Sequence, residues 1–223
     1  MSSRDVRSRL ARRAAKGNLF LPGDLADRLV AYYDLLTRWN RKINLTSIDN
    51  VDEAIDRLLL EPLAAVRHLS GPIRRLMDVG SGGGSPAIPF KLALPGAALT
   101  MVEVKARKSA FLREAIRQLR LENTVVETAR YEELLAKPEL HEAYDLVSLR
   151  AVRAETRVLT SLQAFLTPGG SLILFRGPDG PAQPSTIVPP LEWSGTFPLI
   201  DNLQSRLTLL TKRQIGAVGV ARL

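Results

Sequence analysis

A run of glycines at the end of an apolar stretch limits the possible folds more than any other feature of the sequence. Residues 78–84 read Asp-Val-Gly-Ser-Gly-Gly-Gly, and the apolar stretch at residues 73–79 leads into them. Glycine permits positive φ and lets another group approach the backbone closely. Open α/β sheets bind ligands at the carboxyl ends of their strands. The pattern therefore predicts a ligand-binding turn after the first strand of such a sheet.

The chain after residue 72 alternates between two patterns, as such a sheet requires. Helical patterns at residues 86–94, 107–121, 132–136 and 155–166 separate short apolar runs at residues 73–79, 98–103, 124–128, 146–149 and 171–176. This alternation predicts an α/β fold with a doubly wound, mostly parallel sheet. Further β-like stretches follow near residues 196–200, 206–211 and 217–221. Because no helical pattern separates the last two, we expect an antiparallel edge at the C-terminal side.

The first part of the chain has a helical pattern and most of the excess charge. Apolar residues at three- and four-residue steps predict helices over residues 24–42 and 55–69, the second bent near Pro62. We therefore divide the chain into a basic, helical part (1–70) and an α/β domain (71–223). Residues 1–42 hold ten Lys/Arg and four Asp/Glu, a net +6 of the total +8. A basic arm at residues 1–16 suits nucleic acid, and a frayed, solvated tail is the alternative.

Several classes of protein are excluded by composition. The chain has no cysteine, which removes disulfides, zinc–cysteine sites and thiolate nucleophiles, and we expect no metal site. It also has no run of eighteen apolar residues, so we expect no membrane span and a cytoplasmic location. No segment has the pattern of a dimer interface, and we expect a monomer.

The glycine spacing distinguishes between two cofactor classes. A dinucleotide fingerprint would need a glycine where Ser85 stands. The acidic-x-Gly-x-Gly-x-Gly order of Asp78, Gly80, Gly82 and Gly84 instead resembles motif I of class I S-adenosylmethionine-dependent methyltransferases, which implies their Rossmann-like fold. Their cofactor has no phosphate, and an acidic first residue is compatible with its positive groups. A plain glycine-rich turn is the alternative.

Three later strand ends add candidate site residues. Glu103 ends the second strand, where a carboxylate can accept hydrogen bonds from the ribose diol of either cofactor class. Tyr131 could pack on an adenine and Glu132 could accept from its amine, unless they only begin a solvated helix. Arg150 ends the fourth strand, where these methyltransferases carry their reaction chemistry. An arginine cannot act as a base at physiological pH, so we expect it to hold a phosphate or a base edge.

The residue types that this chain lacks limit which methyl-transfer reactions it could catalyse. Methylation of a pyrimidine at C5 normally needs a cysteine, and residues 149–152 lack the tetrapeptide of exocyclic-amine methyltransferases. A ring nitrogen such as guanine N7 has a free lone pair, so transfer needs only positioning and charge placement. Residues 105–120 hold six Lys/Arg and one acid, which suits RNA, although a solvated helix face is equally compatible. Helical spacing puts Arg113, Arg117 and Arg120 on one face of this segment.

Over residues 25–176 the sequence resembles the glucose-inhibited division protein B family, the bacterial 16S ribosomal RNA guanine-N7 methyltransferases. Trp39-Asn40, the Asn-Leu-Thr-Ser at residues 44–47 and the Gly-Ser-Gly-Gly-Gly-Ser-Pro at residues 80–86 carry the resemblance. It implies an enzyme that transfers a methyl group from S-adenosylmethionine to guanine N7 in 16S rRNA or the small ribosomal subunit. It also implies a cofactor pocket built from Gly80, Ser85, Glu103, Tyr131, Glu132 and Arg150.

The same resemblance implies roles on the substrate side of the pocket. Arg150 would lie near the reacting base, Arg130 would contact a phosphate or guanine, and Asn44 and Ser47 would close over the cofactor. The chain departs from the family at residues 57–62, where Arg-Leu-Leu-Leu-Glu-Pro replaces the usual Arg-His-x-x-Asp-Ser, which leaves the role of this helix open. Two other functions stay possible: methylation of a small molecule or protein, and a noncatalytic, cofactor-binding ribosome-associated factor.

Overall fold

The structure is a computed structural model that describes residues 2–150, 155–178 and 187–214. The predicted β-like stretch at residues 217–221 and the tetrapeptide positions 151 and 152 lie outside the described residues. A π-helical segment (Ile55–Leu60) joins the helices Val51–Ala54 and Glu61–Val66. The helices are α1 (Ser3–Lys16), α2 (Gly23–Asn40), α3 (Val51–Ala54), α4 (Glu61–Val66), α5 (Ala87–Ala93), α6 (Ala106–Leu119), α7 (Tyr131–Leu134) and α8 (Thr156–Leu162).

The described chain has seven strands: β1 (Arg75–Val79), β2 (Ala98–Val102), β3 (Thr124–Glu127), β4 (Tyr144–Arg150), β5 (Leu166–Arg176), β6 (Leu191–Pro198) and β7 (Arg206–Lys212). They form one mixed sheet in the order β3-β2-β1-β4-β5-β7-β6. β3, β2, β1, β4 and β5 pair in parallel, whereas β7 is antiparallel to both β5 and β6. The α/β fold with an antiparallel C-terminal edge is therefore confirmed.

The N-terminal residues form a docked helix and not a frayed tail. Ser2 caps α1 in a capping box with Asp5. Val6, Leu10 and Ala14 recur at four-residue steps and are buried, because this face of α1 packs on α2. Three arginines of α1 are in ion pairs: Arg7 with Asp27, Arg9 with Asp52, and Arg13 with Asp52 and Asp56. Part of the charge assigned to a free basic arm is thus balanced within the fold.

The helices before residue 70 share a hydrophobic core with the sheet domain. One buried cluster contains Leu10, Tyr32 and Leu59 together with Phe90 and Phe111. The division into residues 1–70 and 71–223 stays a prediction about how the sequence is organised. None of the helices in the described part of the chain has the length and apolar character that a membrane crossing needs.

Truncation of Leu10 tests whether α1 is docked. Leu10 is fully buried, so Leu10→Ala should lower the free energy of unfolding by about 2–5 kcal/mol, measured by urea denaturation. The matched control is Arg12→Ala on the exposed face of α1, which should change it by less than about 0.5 kcal/mol. Equally small effects of both substitutions would show that α1 does not pack in solution.

Candidate functional site

The glycine loop (80–86) connects the end of β1 to α5 and needs glycine for two physical reasons. Gly80, Gly82 and Gly84 have φ values of +79°, +51° and +89°. A Cβ on Gly84 would also lie 2.5 Å from the Cδ1 atom of Ile88. Residues with a side chain rarely adopt this backbone conformation, and at Gly84 there is no space for one.

Groups from three other parts of the chain hold the glycine loop in place. The buried Tyr32 hydroxyl of α2 donates to the carbonyl of Gly83 at 2.7 Å. The Glu103 carboxylate, just after β2, accepts from the amide of Gly82 at 2.8 Å. The Ser85 hydroxyl donates to the carbonyl of Leu58 in the π-helical segment at 2.9 Å. The loop is therefore clamped between the N-terminal helices and the sheet.

A second segment, residues 44–48, packs on the glycine loop and owes its shape to Asn40. The Oδ1 atom of Asn40 accepts from the amides of Leu45 and Thr46 at 2.8 and 3.0 Å, and its Nδ2 group donates to the carbonyl of Thr46. The carbonyl of Leu45 comes within 3.3 Å of where a Cβ on Gly83 would lie. Asn40 thus connects the Asn-Leu-Thr-Ser segment physically to the glycine loop.

These elements enclose a cavity of about 470 Å³, a size typical of small-molecule sites. Four cationic side chains line it, those of Arg57, Lys105, Lys108 and Arg150, and no carboxylate does so among the described residues. The other lining residues are Tyr32, Leu36, Asn44, Leu45, Thr46, Ser47, Ile48, Leu58, Gly80, Ser81, Gly82, Gly83 and Ser85.

The residues that the sequence marked as functional fall into three groups. Gly80, Gly82, Ser85, Arg150, Asn44 and Ser47 line the cavity. Asp78, Gly84 and Glu103 are buried directly behind its wall. Arg130, Tyr131 and Glu132, at the start of α7, are not among the lining residues; Arg130 and Glu132 are exposed and Tyr131 is half-buried. Their contacts with a cofactor or substrate stay predictions.

Glu103 has hydrogen-bonding capacity to spare. It is 7% exposed, and its two carboxylate oxygens accept one amide each, from Gly82 and Lys105, both at 2.8 Å. A carboxylate oxygen can accept two hydrogen bonds. The residue thus stabilises the glycine loop and can still accept from a ribose diol.

Asp78 lies at the end of β1 beneath the loop and has one unsatisfied oxygen. The Ser148 hydroxyl donates to its Oδ1 atom at 2.6 Å, whereas Oδ2 has no partner among the described residues. Burial raises the pKa of Asp78 to about 6, although Ser148 and the positive charge of Arg150 act in the opposite direction. A buried acceptor without a donor is costly, and a ligand that supplies one would be stabilised.

Arg150 ends β4 and is held from two sides. Its Nη2 atom lies 2.7 Å from the Oε2 atom of Glu61 in an ion pair without hydrogen-bond alignment, and its Nη1 atom donates to the carbonyl of Arg57. The guanidinium also stacks 4.3 Å from the ring centroid of Phe175. Burial lowers the pKa of Arg150, Glu61 opposes the shift, and the side chain remains charged.

Glu61 and Tyr32 are contributors to the site that the sequence did not reveal. Glu61 had a signal, because it is a lone acid within the apolar run at residues 58–66, and a buried carboxylate needs a charged partner. Tyr32 is only one of many apolar positions on α2, and nothing in its neighbourhood marks its hydroxyl.

The predicted basic face of α6 is wrong at Arg120. That residue follows the helix in the left-handed conformation, with φ of +49°, so it does not continue the face of Arg113 and Arg117. Arg113 donates to the carbonyl of Val126, and Arg117 pairs with Glu114 at 2.6 Å. Lys105 and Lys108, at the other end of α6, line the cavity instead. Of the basic residues in this segment, those at the N-terminal end of α6 are therefore the ones at the cavity.

Comparisons with known proteins agree on one family. The GidB family, described as rRNA small subunit methyltransferase G, matches residues 25–183. Ribosomal RNA small subunit methyltransferase G of Syntrophotalea carbinolica is 36% identical over 178 residues, 80% of this chain and 81% of the relative. The protein of the same name from Ralstonia nicotianae is 34% identical, over 78% of this chain and 79% of the relative.

Solved structures give the same fold at low sequence identity. A structure of a mutant of MtNAS in complex with S-adenosylmethionine is similar with a TM-score of 0.57 and 13% identity, covering 95% of this chain and 96% of that one. An S-adenosylmethionine-dependent methyltransferase from Aquifex aeolicus is similar with a TM-score of 0.52 and 13% identity, over 69% and 89% of the two chains. At these identities the likeness shows the fold alone.

Gly84→Ala tests the steric requirement of the loop. The new Cβ would combine positive φ with the contact to Ile88, so the free energy of unfolding should fall by about 2 kcal/mol or more. Gly96→Ala is the matched control, because a Cβ there meets nothing within 4 Å, and it should change stability by less than about 0.5 kcal/mol. Equal stability of the two variants in urea denaturation would contradict the geometry of the loop.

The raised pKa of Asp78, about 6, predicts how stability depends on pH. Between about pH 4 and pH 6 the folded protein keeps a proton that the unfolded chain has lost, so stability falls as pH rises. Over this interval the unfolding free energy of wild type should fall by about 3 kcal/mol more than that of Asp78→Asn. Above about pH 6 the difference between the two proteins should change little. Urea denaturation of both proteins from pH 4 to pH 8 measures this, and parallel curves would show that Asp78 does not titrate there.

Proposed function

The chain belongs to the GidB family, rRNA small subunit methyltransferase G, and we propose that it methylates N7 of a guanine in 16S ribosomal RNA. Its cofactor is S-adenosylmethionine, and its substrate is ribosomal RNA, either free or in the small subunit. The observation that carries the proposal is the cavity itself, in which the glycine loop faces Arg150 and two lysines. We further propose that the protein acts as a monomer in the cytoplasm, where an rRNA substrate is available.

The residues behind the glycine loop fit S-adenosylmethionine. Gly80 and Gly82 present bare backbone to the cavity. The unpartnered Oδ2 atom of Asp78 is a buried acceptor that suits an ammonium group, and Glu103 has spare acceptor capacity for a ribose diol. We propose that Asp78, Gly80, Gly82, Gly84, Ser85 and Glu103 form the cofactor side, with Tyr131 and Glu132 at its outer end.

The composition of the cavity lining suits methyl transfer to a free lone pair. Bound S-adenosylmethionine supplies an electrophilic methyl group on a sulfonium. Transfer to N7 would use a lone pair that guanine already has, and the electron pair of the broken C–S bond would stay on sulfur, so no proton would have to be removed. No His, Asp or Glu lines the described cavity, in agreement with a reaction that needs no general base. The chain therefore acts by binding and orienting the two reactants.

The cations of the cavity are placed to hold the RNA. Arg150 can donate to a phosphate or to the O6 edge of guanine with a preoriented, planar guanidinium. Lys105 and Lys108 line the cavity and make no ion pair with any described residue, so they are available to phosphates. Arg130 is exposed at the start of α7 and is proposed as a further substrate contact.

A methyl-transfer assay with tritiated S-adenosylmethionine tests the function. The full chain is offered naked 16S rRNA, assembled small subunits and a mixture of small metabolites. We expect incorporation into at least one form of the rRNA, and nucleoside mass spectrometry should place the methyl group on N7 of guanine. Incorporation only into metabolites would contradict an RNA substrate, and cofactor binding without any transfer would indicate a noncatalytic factor.

Two glycine variants tie the measured activity to this cavity. Gly84→Ala distorts the loop against Ile88, and it should abolish transfer. Gly96→Ala, in the turn before β2, has open space around its new Cβ and should retain the wild-type rate. Transfer that survives in Gly84→Ala would place the reaction elsewhere in the protein.

A further inference from the structure

We propose that Glu61 is a positioning residue that balances the charge of Arg150 and so lets the cavity accept a cationic cofactor. This inference rests on the proposed function, since it concerns how the same cavity binds S-adenosylmethionine. Glu61 begins α4, outside the sheet domain, and does not line the cavity. It therefore acts through Arg150, which does.

The proposal starts from the charge of the cavity wall. The four lining cations would repel a sulfonium, and no described lining residue carries a negative charge. Asp78 and Glu103 are buried behind the glycine loop. Two of the lining cations are themselves paired with carboxylates: Glu53 is 3.2 Å from Arg57, and Glu61 is 2.7 Å from Arg150. The first pair is solvated, with 44% of the Glu53 side chain exposed, whereas only 4% of the Glu61 side chain and 17% of the Arg150 side chain are exposed. Solvent screens the first pair far more than the second.

Glu61 also determines which way the guanidinium faces. The carboxylate holds the Nη2 side of Arg150, the carbonyl of Arg57 accepts from Nη1, and the ring of Phe175 stacks on the guanidinium plane. Ser85, on the glycine loop, lies 3.4 Å from Nη1. These contacts leave one orientation for the side chain, with its charge already balanced before any ligand binds.

The affinities for the methyl donor and for its demethylated product together measure this charge balance. S-adenosylmethionine carries a sulfonium, whereas S-adenosylhomocysteine carries a neutral thioether at the same atom and is otherwise alike. A change in the charge of the wall therefore alters the affinity for the first ligand more than for the second. Loss of the Glu61 charge should raise the ratio of the two dissociation constants, donor over product, by about fivefold or more at partly buried separations.

Isothermal titration calorimetry of the full chain with both ligands measures the ratio directly. We expect Glu61→Gln to raise it by about fivefold and Arg150→Gln, which leaves Glu61 unbalanced, to lower it. The double variant should return towards the wild-type ratio. Glu192→Gln is the matched control, because Glu192 pairs with Arg213 on exposed β6, away from the cavity, and its ratio should not change.

The ratio of the two dissociation constants shows whether Glu61 balances the charge of Arg150 or only supports the fold. If Glu61 only supported the fold, its loss would weaken the binding of both ligands by the same factor. An unchanged ratio in both Glu61→Gln and Arg150→Gln would therefore overturn this inference and leave the proposed function standing. If wild type bound neither ligand, the proposed function would be overturned and this inference with it. If Glu61→Gln fails to fold, two other variants test the inference. Arg150→Gln must lower the ratio, and Glu61→Asp, which keeps the charge, must leave it within about twofold.

Discussion

A loop made largely of glycine cannot hold its own shape, because it has no side chains to pack and much backbone freedom to lose. In this protein the shape comes from the Tyr32 hydroxyl on one side and the Glu103 carboxylate on the other. The glycine-loop side of the cavity therefore depends on the helices before residue 70 as much as on the sheet. These helices share the hydrophobic core with the sheet and form a wall of the site, so they are part of its construction.

Net charge alone is a poor guide to where a polyanion would bind. The N-terminal helix carries many of the positive charges, yet Arg7, Arg9 and Arg13 are paired with acids of the neighbouring helices. Lys105 and Lys108 belong to a less conspicuous cluster, and they lie on the cavity. Ion pairing within the fold thus lowers the effective positive charge of α1, whereas Lys105 and Lys108 keep their charge at the cavity.

Features that depend on neighbours in sequence could be predicted, and those that depend on distant contacts could not. The strands, the glycine loop and Arg150 at its strand end follow from local patterns, and Ser85 follows from the family resemblance. The structure places Gly80, Gly82, Ser85 and Arg150 on the cavity. The docking of α1 depends on Asp52 and Asp56, some forty residues away. The end of α6 could not be predicted from local patterns, because Arg120 adopts positive φ although it is neither glycine nor asparagine. Tyr32 and Glu61 act through contacts that no local pattern contains.

The bond between Arg150 and the carbonyl of Arg57 joins groups 93 residues apart in the chain. Such closures cost chain entropy before they contribute stability, so contacts of this kind tend to form late in folding. The helix that carries Glu61 is synthesised well before the strand that supplies Arg150. Glu61 can form its ion pair with Arg150 only once the fourth strand has joined the sheet. The cavity that Arg57, Ser85 and Arg150 line together is therefore complete only after the fourth strand has paired with the first.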